Sequence, residues 1–255
     1  MKKINLSIII VNFNTLDLVI DCIESIKKYA KDIKFEIIVI NNHPQNNDYE
    51  KLKKLYDRED GIRILKSENH GFGAANNIGA KEARGEFLLF LNSDTLIIDD
   101  SLQKLVRILN NNPKIGAVSP LLYNPGGKLQ KYAFGDFQSL LSVTWRKRKK
   151  LNPNRNKKIT YVNLISGAAM MIRKATFDRV GGFDERFFMY FEDDDLCRRL
   201  VNLGKKNAIV ATTKIIHLQG KSSSMSNRKI MYYRSQNYYW RKHKGLFLEL
   251  VMRTF

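Results

Sequence analysis

The sequence predicts an α/β protein built on a Rossmann-like, doubly wound and mostly parallel sheet flanked by helices. Short β-branched runs alternate with stretches of helical periodicity through the first 95 residues. Three of these runs end in polar side chains, where a parallel sheet places its ligand: Asn12 and Asn14, Asn41 and Asn42, and Asn92, Ser93 and Asp94. The chain of 255 residues, 44% hydrophobic, is long enough to bury one sizeable core.

Residues 6–11 (LSIIIV) form a continuous apolar run, as in a strand buried on both faces. Leu16, Val19, Ile20, Ile23 and Ile26 then share a helical face, with Asp17, Asp21 and Glu24 off it and Asn14 or Thr15 as N-cap. Residues 35–40 (FEIIVI) and 62–65 read as the next strands. Residues 73–84 read as a helix stopped by Gly85, and 87–91 (FLLFL) as a fourth strand. Residues 100–111 read as a helix stopped by Pro113. The second half is less regular. Residues 123–158 read as a loop-rich insertion, 161–172 as one or two strands interrupted by Ser166-Gly167, and 174–180 as a short helix. Residues 192–203 read as a helix ended by Gly204, and 209–211 and 214–217 as two short strands.

The net charge of +19 is concentrated. Residues 146–158 carry eight basic side chains and no acid; residues 221–255 carry eight basic and one acidic. Such patches suit phosphate, nucleic acid or an anionic membrane surface. Tyr232, Tyr233, Tyr238, Tyr239 and Trp240, interleaved with Arg234, Arg241, Lys242 and Lys244, suggest an amphipathic interfacial helix; packing of the aromatics on the core is the alternative. Cys22 and Cys197 lie among apolar residues without a CxxC partner and read as buried reduced thiols. No signal-like segment opens the chain, and the longest apolar runs are about five residues, far below the ~20 of a membrane span. The expectation is a cytoplasmic protein, with peripheral association at the inner face of the cell membrane left open, as is oligomerisation.

Asp94, at a strand exit, can hold Mg²⁺ or Mn²⁺ together with a diphosphate; a helix N-cap is the bland alternative. Glu192-Asp193-Asp194-Asp195 opens a helix directly after the apolar run 187–191, a setting that raises a carboxylate's pKa and suits a general base; a solvated capping run is the bland alternative. His217 ends a strand and is either structural or a metal ligand. Gly71-Phe72-Gly73 fails as a dinucleotide fingerprint, because position 76 is Asn and the motif does not follow the first strand.

Several strings carry a resemblance: SIIIVNFNT, ENHGFGAANNIGAKEARGEFLLFLNSDT, ISGAAMMIRK, GGFDERFFMYFEDDDLCRRL, IIHLQGKSS and YYRSQNYYWRKHKG. In this order, over residues 5–245, they resemble inverting glycosyltransferases of family 2, of GT-A fold, in the bacterial rhamnosyltransferase-like branch. The resemblance implies transfer of rhamnose or a similar hexose from a UDP- or dTDP-sugar to a hydroxyl of a glycan or lipid-linked acceptor in surface polysaccharide synthesis. It implies Mg²⁺ or Mn²⁺ held by Asp94 and His217, with Asp193 as general base and Glu192 positioning acceptor or base. It implies a nucleotide-sugar site drawn from Val11, Asn14, Asn41, Asn77, Asn92, Ser93, Ser166 and Gly167. It divides the chain into a transferase domain, residues 1–225 (nucleotide half 1–112, acceptor half 113–225), and a C-terminal basic and aromatic helical segment, 226–255. One departure matters: the family usually has Asp where this chain has Asn41, which puts base preference in question. A nucleic-acid-binding protein and a sugar nucleotidyltransferase are the alternatives. The first does not account for the acidic positions, and the second lacks its Gly-rich basic loop after the first strand.

Overall fold

The computed structural model describes residues 4–43, 45–139, 153, 157–218 and 225–252. β1 (Leu6–Asn12), β2 (Phe35–Asn41), β3 (Ile62–Lys66) and β4 (Phe87–Asn92) form the parallel half of one sheet, in the order β3-β2-β1-β4. The side chains of β1, β2 and β4 are almost wholly buried, which is why their sequences are apolar runs rather than alternations. α1 (Leu16–Tyr29) buries Val19, Cys22, Ile23 and Ile26, the face its periodicity predicts. α3 (Phe72–Glu82) packs on β1 and β2, so tightly that a Cβ on Gly79 would stand 2.4 Å from Ile9 Cγ2.

The expected helix stop at Gly85 is corrected. α3 ends at Glu82, and Gly85 instead packs against β1: its N–H donates to Ser7 Oγ (2.8 Å), and a Cβ there would lie 2.6 Å from Ser7 N. Ser7 in turn donates to the buried Glu36 (2.6 Å), whose other oxygen pairs with Arg63 at 3.0 Å, so this interior charge is partnered.

Beyond β4 the sheet continues with β10 (Ala169–Arg173), β6 (Ile115–Tyr123), β11 (Lys206–His217) and β5 (Thr95–Ile97), while β8 (Ile159–Val162) pairs with the first half of β11. β10 runs antiparallel between β4 and β6, and β6 and β11 are parallel. β7 (Phe134–Gly135) and β9 (Leu164–Ile165) form a separate two-stranded pair. α4 (Ser101–Asn111) covers β6 and β11 with Leu102, Leu105, Ile108 and Leu109. Each such buried aliphatic side chain stabilises by about 1.5–3 kcal/mol relative to exposure.

Three elements differ from expectation. β6 carries Gly116 and Pro120, poor strand residues; Pro120 lies beyond the two residue pairs that β6 makes with β10, where a missing N–H is tolerated. The two short strands expected over 209–217 are one strand with a register shift between Val210 and Lys214, where Thr213 Oγ1 donates to Val210 O at 2.7 Å. α2 (Asp48–Tyr56) buries only Leu52 and Tyr56 and has little periodic signature.

α5 (Lys174–Arg179) follows β10, and α6 (Glu192–Asn202) carries the acidic run. α7 (Met225–Lys244) and α8 (Leu246–Met252) complete the described chain. Tyr239 and Trp240 are 0% and 1% exposed and pack with Phe187 and Phe191, with Tyr232 and Tyr238 half-buried around them. The interfacial-helix expectation is therefore corrected for these aromatics. They form a second small core because the run 187–191 offers them an apolar wall. The basic tract 146–150 and residues 219–223 of the string IIHLQGKSS lie outside the described residues.

Candidate active site

Neighbouring strands bring the polar exits together. Asn12 is register partner of Asn41, and Val11 of Asn92, so the ends of β2, β1 and β4 stand side by side. Asn12, fully buried, accepts from Thr15 N (3.0 Å) and Thr15 Oγ1 (2.9 Å), and Thr15 Oγ1 lies 3.0 Å from Ser93 Oγ. Thr15 stands at the N-cap of α1, but its hydroxyl ties two strand exits together and makes no cap bond.

Asp94 and His217 meet across the sheet, with Asp94 Oδ1 3.2 Å from His217 Nε2. Asn92 Nδ2 lies 3.5 Å from the same nitrogen. Gln130, not singled out in the sequence, grips His217 at two points: its Nε2 donates to the backbone carbonyl of His217 (2.8 Å), and its Oε1 faces Nδ1 (2.8 Å). The first contact fixes the amide's orientation, so Oε1 needs a proton on Nδ1, which leaves the Nε2 lone pair facing Asp94. An oxygen and an imidazole nitrogen that close suit a divalent cation. Among the described residues no cluster of three or more His, Cys, Asp or Glu forms a complete metal cage. The remaining ligands would come from a bound diphosphate and water, as is usual for Mg²⁺.

The acidic run meets the same place through a short turn. Asn92 N donates to Ala168 O (2.9 Å), and Gly167 N donates to Asp193 Oδ2 (2.9 Å). Residues 166–168 thus bridge the β4 exit and the start of α6. Asp193 Oδ1 accepts from Asp194 N (2.9 Å), so backbone N–H groups hold both carboxylate oxygens in place. Ser166 Oγ accepts from Ala168 N (3.2 Å) and braces the turn. Glu192 is buried with Oε2 unpartnered; burial first, then the charge of Asp193, pushes its pKa well above the carboxylate range. Both influences favour its protonated form. The two residues before it, Tyr190 and Phe191, have φ of 69° and 66°, a left-handed conformation that costs about 1–3 kcal/mol per residue. Packing of Phe191 in the aromatic cluster holds that turn and aims α6.

Gly71 and Gly73 serve this packing rather than a phosphate. Gly71 has φ of 104°, and a Cβ there would lie 2.2 Å from Phe188 O; one on Gly73 would lie 3.1 Å from Phe183 Cβ.

Some expected residues stand elsewhere. Asn77 does not join the strand exits. Its amide accepts from Phe183 N (2.9 Å) and donates to Phe183 O (2.9 Å) and Glu185 (2.9 Å), so its hydrogen-bonding capacity is engaged in the 181–185 loop. It lines a cavity of roughly 410 Å³ with Val180, Asp184, Arg199 and Lys242. That cavity borders the face of α6 that carries Asp195, opposite Asp193. Asn41 is fully buried and engaged: Oδ1 accepts from Asn12 (2.7 Å), and Nδ2 donates to His43 O (3.0 Å) and Asn46 Oδ1 (3.2 Å). Asn14, at φ 58°, is exposed and accepts from Asn46 (2.9 Å).

On the far face of α6, Asp195 contacts Lys242 (2.6 Å), His243 (2.7 Å) and Arg199 (2.7 Å), and Lys242 also pairs with Asp184 (2.7 Å). Burial alone would raise the pKa of Asp195, but His243, Arg199 and Lys242 together bring it below the ordinary range. α7 is therefore pinned to α6 by partnered charges. Both cysteines are free and buried, and burial pushes Cys22 up to about 12, so neither is a nucleophile at neutral pH.

The family model described as Glycosyl transferase family 2 matches residues 7–178, and that described as N-terminal domain of galactosyltransferase matches 148–221. Rhamnosyltransferase WbbL of Escherichia coli (strain K12) is 28% identical over 222 residues, 82% of each chain. N-acetylglucosaminyl-diphospho-decaprenol L-rhamnosyltransferase of Mycobacterium tuberculosis is 28% identical over 149 residues, 54% of this chain and 48% of that one. Among solved structures, GalNAc-T7 with UDP, GalNAc and Mn²⁺ superimposes with a TM-score of 0.73 at 18% identity, over 92% of this chain and 47% of that one. Mannosyltransferase PcManGT from Pyrobaculum calidifontis, with GDP-Man and Mn²⁺, gives 0.69 at 15% identity, over 95% and 64%. These likenesses show the GT-A fold, and the family match over two thirds of the sequence settles the membership: the chain belongs to glycosyl transferase family 2.

Proposed function

We propose that this glycosyltransferase moves rhamnose or a related hexose from a UDP- or dTDP-sugar to a hydroxyl of a glycan or lipid-linked acceptor, with inversion and with Mg²⁺ or Mn²⁺ bound. The observation that carries this reading is the turn 166–168, which bonds Asp193 on one side and, on the other, Asn92 of the β4 exit, two residues before the Asp94 that meets His217. The names of the relatives support the sugar and the lipid-linked acceptor, and the Mn²⁺ in the two structural neighbours supports the metal. Surface polysaccharide synthesis is the setting that the relatives suggest.

The exits of β2, β1 and β4 receive the nucleotide, with Val11 and Ser93 flanking it. A cation bound at Asp94 and His217 would neutralise charge on the departing diphosphate. Asp193, oriented by two backbone N–H groups, accepts the proton of the acceptor hydroxyl. Glu192, buried next to it in sequence and with its pKa raised, favours the protonated form and so limits a second negative charge near the acceptor oxygen. Residues 1–225 make the transferase unit, and 226–255 brace α6 through the Asp195 and Phe191 contacts.

Asp193→Asn keeps the shape and removes the base. It should retain nucleotide binding and lose sugar-dependent nucleotide release by about 10²–10⁴-fold. Residual release within tenfold of wild type removes Asp193 from this role.

No helix among the described residues is long and apolar enough to cross a membrane. The surface that fits anionic lipid is α8, where Leu246, Phe247 and Leu250 are exposed next to the exposed Arg241 and Lys244. Phe247→Glu should abolish flotation with phosphatidylglycerol vesicles at low salt; equal flotation of the variant rules this surface out. The nucleic-acid alternative loses its aromatic support, because Tyr239 and Trp240 are buried.

A further inference from the structure

We infer that Asp48 is the residue that reads the base of the donor nucleotide, replacing the carboxylate that position 41 lacks. This rests on the donor-site reading above and deepens it. Both amide hydrogens of Asn41 are donated within the protein, and its Oδ1 faces Asn12 in a fully buried position. It has no donor left to offer and no open path to a ligand.

Asp48, at the first turn of α2, reaches the same place from the side. Its Oδ2 accepts from Asn12 Nδ2 (3.1 Å) and Asn46 Nδ2 (2.9 Å), which fixes the carboxylate's orientation. Its Oδ1 accepts no hydrogen bond among the described residues, and the side chain is half-buried. It is bonded to Asn12 at the β1 exit and, through Asn46, linked to Asn41 at the β2 exit. Phe13 and His43, the residues that follow the β1 and β2 exits, have ring centroids 5.0 Å apart and offer flat surface for a base.

The strand order supplies the distance. β2 and β4 flank β1, so their exits lie two inter-strand spacings apart, roughly 10 Å. That matches the span of a nucleoside with its base at the β2 exit and its diphosphate at Asp94. One fixed carboxylate oxygen matches a base edge with one N–H donor, as in uracil or thymine; guanine adds an amino donor beside its ring N–H, which a single oxygen leaves unpaired. Cytosine presents a bare ring nitrogen to it.

The test is calorimetric titration of the full chain with UDP, CDP and GDP in the presence of Mn²⁺. Wild type should bind UDP more tightly than the other two. Asp48→Asn, nearly the same shape but able to donate, should lose about 10- to 100-fold in UDP affinity while CDP affinity holds or rises. Asp48→Ser, compatible with a helix start, should lose the UDP preference in the same way, and thermal melting checks that both variants fold. Equal losses for UDP and CDP would overturn the inference, leaving Asp48 as a brace for the asparagine network. Wild-type preference for CDP or GDP would overturn it while leaving a donor site in place. No binding of any of the three would overturn the donor site as well.

Discussion

Replacing Gln130 with alanine tests whether the sheet end is built to hold a cation. The side chain makes two hydrogen bonds of 2.8 Å to His217, one to the backbone carbonyl and one to Nδ1. Without the acceptor at Nδ1, the imidazole proton is free to move to Nε2, where it faces Asp94 as a donor at 3.2 Å and the nitrogen can no longer ligate. Loss of such an orienting partner typically costs 10- to 100-fold in metal affinity. That corresponds to about 1.4–2.8 kcal/mol. The two lost hydrogen bonds would lower stability by only about 1–3 kcal/mol. Electron paramagnetic resonance titration of Mn²⁺ with UDP present reads the affinity directly, and chemical denaturation reads the stability. Gln130→Ala should weaken Mn²⁺ binding at least tenfold in a folded protein. Unchanged Mn²⁺ affinity would refute the orienting role, and with it the reading of His217 Nε2 as a ligand.

Glu192 predicts an inverted pH effect. Its folded pKa is raised, so the folded form keeps a proton that the unfolded chain releases near about pH 4.3. Its contribution is complete below that value and is lost as pH rises through the folded pKa. Denaturant midpoints of wild type should therefore fall relative to Glu192→Gln from about pH 5 upward, and parallel profiles would contradict the assignment. Asp184 predicts the opposite. Burial would raise its pKa, but hydrogen bonds from Arg186 and Lys242 outweigh this and depress it. Its contribution is present above the unfolded value of about 3.9 and disappears as pH falls below it, so Asp184→Asn should flatten the acid limb of stability. A variant as acid-sensitive as wild type would dismiss the Asp184–Lys242 pair as a source of stability. Gly79→Val should destabilise strongly, by about 1–3 kcal/mol or more from overpacking against Ile9; a thermal midpoint within about 2 °C of wild type, less than the shift that 1 kcal/mol produces, would show that α3 can shift aside.

What the sequence discloses follows from where burial is two-sided. β1, β2 and β4 are shielded on both faces, so their residues are almost all apolar and the runs stand out. Asn12, Asn41 and Asn92 stand at the carboxyl ends of these strands, where the apolar runs stop and a parallel sheet gathers its polar side chains. β6 is not visible in the sequence because Gly116, Ser119 and Pro120 suppress strand character, and its stability comes from neighbours remote along the chain. Gln130 carries no local pattern, since its function depends on the hairpin that folds Leu129 back against Tyr123 and sets it beside His217. Asn77 and Asn41 share an ambiguity in the sequence. Side-chain amides are equally good at holding protein loops and at holding ligands, and only the completed hydrogen-bond inventory separates the two. The aromatics of α7 illustrate the same limit, because interleaving with Lys and Arg does not reveal which side meets the wall formed by Phe187 and Phe191.

The most direct test removes Asp94. Titration of UDP into Asp94→Ala with and without Mn²⁺, alongside wild type, asks whether this side chain couples the cation to the nucleotide. The account predicts that Mn²⁺ tightens UDP binding to wild type by at least tenfold and leaves the variant unchanged. Mn²⁺ enhancement of equal size in both proteins would contradict it.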